Sequence, residues 1–385
     1  MVDGLGVGTV DSADGWSLDP DANTLRSVLR ETGPRVDTLD ALGLPKLGYG
    51  PTEYRGLPLS TGWITPHYPG ADTALGHLEL LGCHPNARPA TVAAQMPAIV
   101  AACAPHHEVE VRDGYLIVDR SIHIFDNVES NPGSNVNVLA AAGETSPGRL
   151  LTVGRMVRSA VSNPRVIVMS GRPLTGEAIR ASIDVRQAED GLVLVGTSIS
   201  ALGIHNEHYR STHLTGNLAE ATLATEMVRS GHEVVLLGKA ADLIAAPGAT
   251  VIRATDTSTA LEQLADVARE RVNGLLICNI FQLDLAGHGQ DPDLAGEVLR
   301  TVDHYLGPIL ATLRPGDHLV LTADHGNDPA IGHGRHTREH VPLICVNGAA
   351  DAESHLIGHR HSLADVAASI CSWHSLTWRG AGRVL

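Results

Sequence analysis

Four short stretches of this sequence carry side chains that hold metals or move phosphoryl groups. The sharpest is residues 318–346, HLVLTADHGNDPAIGHGRHTREHVPLICV. There an apolar run leads into Asp324-His325-Gly326, a polar loop carries His336-Thr337-Arg338-Glu339, and a second apolar run follows. Adjacent Asp and His at a strand end point to opposite sides of the chain, so they can serve different coordination positions or two neighbouring metals. Gly326 is expected to let the backbone turn sharply. The second stretch, residues 278–291 (CNIFQLDLAGHGQD), places Asp284 four residues before His288. A carboxylate and an imidazole within one short loop can hold one divalent cation together. The third is the amino terminus, MVDGLGVG, where Asp3 precedes a Gly-rich loop. The fourth is residues 70–82, GADTALGHLELLG, where Thr73 is followed by apolar residues at helical spacing. Backbone N–H groups at a helix start favour a bound phosphate. Each piece alone has an ordinary explanation, since a DxxxH pairing arises by chance in many loops and a Thr before a helix is more often an N-cap than a nucleophile. Two Asp-His strand ends, a trailing His, an early Asp and a Thr at a helix start, all in one chain, are hard to explain structurally.

These residues need strand ends and helix starts to hold them. Residues 232–238, 274–280, 318–322 and 341–346 read as apolar strands, and 261–271, 293–313 and 362–372 as helices. That alternation predicts a parallel sheet covered on both faces, with the chemistry at the carboxyl ends of the strands. The middle of the chain has shorter runs at 114–118, 165–169 and 191–195, separated by turn clusters such as Asn131-Pro132-Gly133-Ser134. It reads as a smaller α+β domain inserted into the larger one. The expected division is a core of residues 1–85 and 213–385 and an inserted substrate-holding cap of residues 86–212.

The composition narrows the partners. With 385 residues, 43% hydrophobic, 3% aromatic and 40 Gly, the chain suits a two-domain α/β protein. A net charge of −15 argues against nucleic acid and anionic membranes. An anionic substrate must therefore be drawn in by metals or by placed Arg and Lys. Five widely spaced Cys (Cys83, Cys103, Cys278, Cys345, Cys371) form no CxxC pattern and read as reduced, mostly buried thiols. No segment is long and apolar enough to span a membrane, and the acidic, Gly-rich opening is unlike a signal peptide, so a cytoplasmic protein is expected.

Taken in order, Asp3, Thr73, Asp284/His288, Asp324-His325 and His336 resemble the set used by the alkaline phosphatase superfamily. Within it the sequence is most similar to bacterial phosphopentomutases. Their TADHGNDP and HTRE-VPLL segments stand here at 322–329 and 336–343. Their KDT-TGHWE segment appears as Asp72-Thr73 and Gly76-His77-Leu78-Glu79, GK-SDI as residues 238–243, and RPFVGE as RPLTGE at 172–177. The resemblance implies an alkaline-phosphatase-like three-layer core with a mostly parallel sheet and an inserted α+β cap. It implies one metal held by Asp3, Asp324 and His325 and touching the Thr73 oxygen, and a second held by Asp284, His288 and His336. Mn²⁺ is the expected metal, with Zn²⁺ or Mg²⁺ also compatible with these ligand types. Thr73 would accept the phosphoryl group, with a sugar bisphosphate as possible primer. The activity implied is a phosphosugar mutase acting on ribose phosphates or a related phosphosugar. The alternatives are a phosphatase or phosphodiesterase on the same scaffold, or an enzyme like the cofactor-independent phosphoglycerate mutases. Arg172 and Lys239 are candidates for holding the non-reacting phosphate, and Glu129 for contacting the substrate.

The sequence also departs from that pattern. Only Met1 and Val2 precede Asp3, where the family has a full strand. Either the start lies upstream, or Asp3 sits near a fraying end and its metal site is loose. The Asp284–His288 spacing is one residue shorter than in typical phosphopentomutases and matches phosphoglycerate mutases. Ala71, Leu75 and Leu78 replace a Lys, a Thr and a Trp. Residues 126–130 (DNVES) replace a TSADS-type stretch, and Arg180 and Arg186 are the counterparts offered for an arginine-rich loop. Because an insert that holds the sugar and excludes water serves a mutase, its divergence bears on which sugar is used.

Overall fold

The computed structural model describes residues 1–10, 19–47, 53–68, 70–84, 90–129, 132–141, 143–171, 175–187, 191–197, 202, 209–215, 222–270 and 273–385. By its internal contacts the chain forms two units, 1–85 with 219–385, and 86–218. The second boundary lies beyond the expected 213. Strand Tyr209–Thr215 pairs antiparallel along its full length with Arg165–Gly171, which ties it to the second unit.

In the first unit, Glu233–Gly238 is flanked in parallel by Thr250–Ile252 and Gly274–Asn279. Val234 and Leu236 face helices Leu223–Arg229 and Ala364–Trp373 in one apolar cluster with Leu275 and Ala367. Val235 and Leu237, on the opposite face by strand alternation, are also buried, and helix Thr257–Glu270 packs on this sheet. Helix Pro292–Leu310 packs on that helix in turn. Asp291 caps it by accepting from the Leu294 N–H at 2.9 Å, and Pro292 fits its first turn. Its buried residues Ala295, Val298, Leu299, Val302 and Leu306 recur at helical spacing. Helix Thr257–Glu270 starts earlier than the expected 261, because the Asp256 carboxylate accepts from the Thr259 N–H at 2.8 Å and opens the helix there.

The expectation of a mostly parallel sheet is corrected here. Strands His318–Thr322, Val341–Asn347, Leu57–Ile64 and Glu53–Tyr54 run antiparallel to their neighbours, and Leu356–Arg360 lies parallel to Leu57–Ile64. Residues 322–341 form a loop that returns the chain beside its own strand, which a helical crossover would not do. The amino terminus joins the two sheets. Val2 bridges Ile280 in parallel and donates its N–H to Thr322 O at 2.9 Å. The Asp3 N–H donates to Ile280 O at 2.9 Å, and the Met1 ammonium to Cys278 O at 2.9 Å. The expected fraying of Asp3 is therefore corrected, since these bonds hold its backbone and its side chain is fully buried.

The second unit is an α+β body. Ile122–Asn127, Asn135–Ala141 and Arg165–Gly171 form the middle of its sheet, with Leu116–Val118, Val109–Val111 and Tyr209–Thr215 towards the edges. Hairpin Ile183–Gln187/Val193–Thr197 joins it through Asp126 and Asn127. Helices Val92–Cys103 and Pro147–Ala160 cover one face through Val92, Ile99, Leu150, Val153 and Val157, packed on Ile122, Ile124, Val136 and Val138. Among the described residues no helix is long and apolar enough to cross a membrane. Cys103, Cys278 and Cys371 are buried, and all five cysteines are free thiols.

Candidate metal centre

Thr73 opens helix Thr73–Leu80, and Asp72 caps it by accepting from the Leu75 N–H at 3.0 Å. The capping role is thus filled by its neighbour. The Thr73 hydroxyl lies instead 2.9 Å from His325 Nε2 and 3.5 Å from Lys239 Nζ. The Arg338 guanidinium donates to Tyr68 O at 2.7 Å and Gly70 O at 2.8 Å, and so fixes the approach to Thr73.

The six candidate ligands all lie within the first unit, and His325 among them reaches this hydroxyl. Asp3, Asp324 and His325 form one group whose donor atoms lie within 4.8 Å of one another, and Asp284, His325 and His336 form another. His288 Nε2 is 3.5 Å from Asp284 Oδ1 and 3.2 Å from His336 Nε2. His325 therefore stands between the two sets.

The hydrogen bonding fits cations at these positions. Each of the three imidazoles gives its Nδ1–H to a carbonyl: His325 to Gly326 at 3.0 Å, His288 to Gly334 at 2.7 Å, and His336 to Ala71 at 3.1 Å. A carbonyl only accepts, so Nδ1 carries the proton and Nε2 turns inward as the metal-binding atom. The His288 and His336 Nε2 atoms then face one another with Asp284 Oδ1 3.2 Å from the second. Two facing lone pairs beside a carboxylate call for a shared positive charge. Two fully buried carboxylate oxygens, Asp3 Oδ1 and Asp324 Oδ2, lie 3.3 and 3.5 Å from His325 Nε2, and the second also lies 3.1 Å from His77 Nδ1, all outside good hydrogen-bond geometry. Buried carboxylates left this way are costly unless they hold a cation.

Charges within the site respond to one another. Burial opposes ionisation of Asp3 and Asp284, yet the Lys239 ammonium, 2.8 Å from Asp3 and 3.1 Å from Asp284, holds both carboxyls below their usual range. Burial likewise opposes charge on His325, but the Asp324 carboxylate lifts it to about 10, so its Nε2 carries a proton that a bound cation would have to displace. His336 is lowered by burial and by His325.

Several positioning groups were not singled out from sequence. Asn279 donates to Asp3 Oδ2 at 2.9 Å and to His77 Nε2 at 2.6 Å, while His77 Nδ1 donates to Thr73 O at 2.7 Å. Asn327 donates to Asp284 Oδ1 at 2.9 Å and to Asp284 O at 3.0 Å. Buried Glu339 accepts from the Gly8 and Thr24 N–H groups and from the Thr24 and Thr337 hydroxyls. The reason for Gly326 is corrected, because it does not adopt a left-handed φ. A Cβ there would lie 2.4 Å from Glu339 Oε1, so the glycine makes room for that carboxylate.

Lys239 sits on the metal-site carboxylates. Glu129 belongs to the second unit, where it is buried and its N–H donates to Asn127 Oδ1 at 2.9 Å. Arg172 lies outside the described residues. Arg186 donates to Val128 O at 2.6 Å, and Arg180 is exposed.

The profile of the metalloenzyme superfamily matches residues 70–377. This chain belongs to the metalloenzyme superfamily. Among its members with curated names, the phosphopentomutase of Carboxydothermus hydrogenoformans is 28% identical over 403 aligned residues, covering 96% of this chain and 93% of the relative. That of Herpetosiphon aurantiacus is 26% identical over 389, with the same coverage. The likeness to phosphopentomutases thus runs through nearly the whole chain. Of the solved structures, the Leishmania mexicana phosphoglycerate mutase covers 97% of this chain and 94% of its own, at 11% identity and a TM-score of 0.46.

Proposed function

We propose that this metalloenzyme is a phosphosugar mutase of phosphopentomutase type, with Thr73 as the phosphoryl acceptor. The observation that carries the reading is the Thr73 hydroxyl, relieved of capping by Asp72 and placed against His325 and Lys239 among six candidate ligands. The near-full-length phosphopentomutase relatives support the substrate class.

Asp3, Asp324 and His325 would hold one divalent cation, and Asp284, His288 and His336 the other. When bound, such a pair activates a weak nucleophile and neutralises the charge that develops on a transferring phosphoryl group. Mn²⁺ is our choice, on the resemblance and on a donor set of carboxylate and imidazole. The rest falls to the chain. Once Thr73 has been phosphorylated by the bisphosphate primer, it gives its phosphoryl group to the free hydroxyl of the sugar phosphate, whose proton leaves as the new O–P bond forms and the bond to Thr73 breaks. The freed Thr73 oxygen then attacks the other phosphorus of the resulting bisphosphate, the bond to that sugar oxygen breaks, the sugar oxygen takes up the proton, and phosphothreonine is restored. Asp72 and Arg338 fix the helix start from which the hydroxyl projects. Holding the sugar and excluding water separates a mutase from a phosphatase, and residues 86–218 are the part of the chain we assign to holding the sugar. Glu129 and Arg172 are assigned there as substrate contacts.

The test is ³¹P NMR of Mn²⁺-loaded protein offered ribose 5-phosphate with a sugar bisphosphate primer. Ribose 1-phosphate should appear, and should vanish in a Thr73→Ala variant. Free phosphate as the sole product would replace the mutase by a phosphatase. No product from ribose 5-phosphate, with metal bound, would move the substrate to another phosphosugar.

A further inference from the structure

The chain has two lysines against 26 arginines among its 28 basic residues. Lys46 is exposed, and Lys239 stands at the centre of the site. At this position the chain has a compact, round positive charge rather than the planar fork of an arginine. Gly238 sets its position. With a φ of 67° and a Cβ that would lie 2.4 Å from Asn279 O, only glycine lets strand Glu233–Gly238 turn there and deliver Lys239 inward.

The ammonium lies 2.8 Å from Asp3 Oδ2 and 3.1 Å from Asp284 Oδ2. These carboxylates belong to different candidate metal sets, so one lysine bridges both. It holds Oδ2 of each carboxylate, while Oδ1 of each faces the imidazoles, so lysine and cations would draw on the same two carboxylates from opposite oxygens. Its side chain is 18% exposed, while the carboxylates it holds are 0% and 5% exposed, so the lysine has a way out and the carboxylates do not.

We propose that Lys239 is the internal cation of the metal-free site, and that metal loading displaces it from Asp3 and Asp284. Without metal, the ammonium keeps two buried carboxylates from repelling each other and holds the ligand geometry open. With metal, the same ammonium is repelled by two divalent charges and swings off the carboxylates. It stays next to the Thr73 hydroxyl, 3.5 Å away in the present arrangement. Lysine and metal thus compete, and loading the site presents a positive charge towards an incoming phosphate. Lys239 acts here as a positioning residue, and this inference rests on the metal-ligand reading given above.

The lysine count makes the test direct. Protein labelled with ¹³C at lysine Cε gives two lysine signals, and titration with diamagnetic Mg²⁺ should shift that of Lys239 and leave that of Lys46 in place. Calorimetry with Mn²⁺ should show at least tenfold tighter binding to Lys239→Met than to wild type, because a competitor has been removed. A stationary Lys239 signal at metal saturation, or a Lys239→Met affinity that is equal or weaker, would overturn the displacement while leaving the metal sites standing. If Lys239→Met does not fold, the wild-type titration alone decides. A wild-type protein that binds no metal, or that binds it equally well after Asp324→Asn, would instead sink the metal-ligand reading itself.

Discussion

Replacing His123 by leucine should change how stability depends on pH in a way that its neighbour Asp126 otherwise hides. Both lie on strand Ile122–Asn127 of the second unit and both are buried. Among the described residues neither ring nitrogen of His123 has a hydrogen-bond partner, and burial, helped by the Arg180 charge, lowers it from 6.5 to about 4. Between those values the unfolded chain binds a proton that the folded one refuses. Stability contributed by His123 is therefore present above 6.5 and lost as pH falls to 4, by about 3 kcal/mol at 1.36 kcal/mol per unit. Asp126 works in the opposite sense. Burial raises it from 3.8 to about 6, against two backbone N–H donors, Val92 at 2.8 Å and Val195 at 3.1 Å. Between 3.8 and 6 the folded chain holds a proton that the unfolded one has released. Its contribution is present below 3.8 and lost as pH rises to 6, again by about 3 kcal/mol. The two nearly cancel, so the parent protein should show little net slope from this strand.

His123→Leu removes one side of that balance. Its stability relative to the parent should rise by about 3 kcal/mol between pH 7 and pH 4. At pH 7 the change itself should be neutral or mildly stabilising, because an apolar group replaces unpaired polar atoms. Asp126→Asn should do the reverse and lose about 3 kcal/mol relative to the parent over the same range. The double variant should regain the flat profile. Urea unfolding at half-unit pH steps is the assay. All four tryptophans fall within residues 1–85 and 219–385, so their fluorescence follows the first unit. The far-ultraviolet circular dichroism change with no fluorescence counterpart then reports the second. A difference between His123→Leu and parent that stays constant from pH 7 to pH 4 would refute the reasoning, since it would mean that His123 titrates alike in folded and unfolded chains.

Two further predictions concern the supports of the site. Asn327→Leu removes the two hydrogen bonds that its amide gives to Asp284 and should weaken metal binding about 10- to 100-fold with little change in secondary structure, read by calorimetry and circular dichroism. Glu339→Gln keeps the shape of a side chain that accepts four hydrogen bonds but turns one end into a donor that faces donors. It should cost about 2–4 kcal/mol of stability, measured as a lower urea midpoint in the tryptophan signal.

The candidate ligands could be read from sequence because the chemistry restricts the residue types. Few arrangements other than a cation site explain Asp324-His325 after an apolar run and His336 in the loop beyond. The supports could not be read this way. Asn279, Asn327 and Glu339 are common polar residues, and only the fold shows that each is aimed at a ligand or at the loop that carries one. Strand direction was hidden for a related reason. An apolar run of five to seven residues has no polarity of its own, so Val341–Asn347 read as one more parallel strand. The polar loop before it, which carries no apolar helical pattern to cover a sheet face, was the signal that its neighbour runs the other way.

The departures from the phosphopentomutase pattern can now be sorted by where they fall. Leu75 lies in helix Thr73–Leu80 with 1% exposure, so the threonine it replaces is exchanged for a core contact that leaves the Thr73 hydroxyl untouched. The shortened Asp284–His288 spacing places both residues one turn apart on helix Gln282–Gly289. Residues four apart on a helix share a face, so both can reach a single cation from it. Neither change removes a ligand. The changes around residues 126–130 and after residue 177 fall in the second unit, where the substrate-holding role is assigned. The candidate ligands are thus all present, while departures fall both beside Thr73, at Ala71 and Leu78, and in the second unit. A screen of phosphosugars should therefore alter KM far more than the dependence on metal.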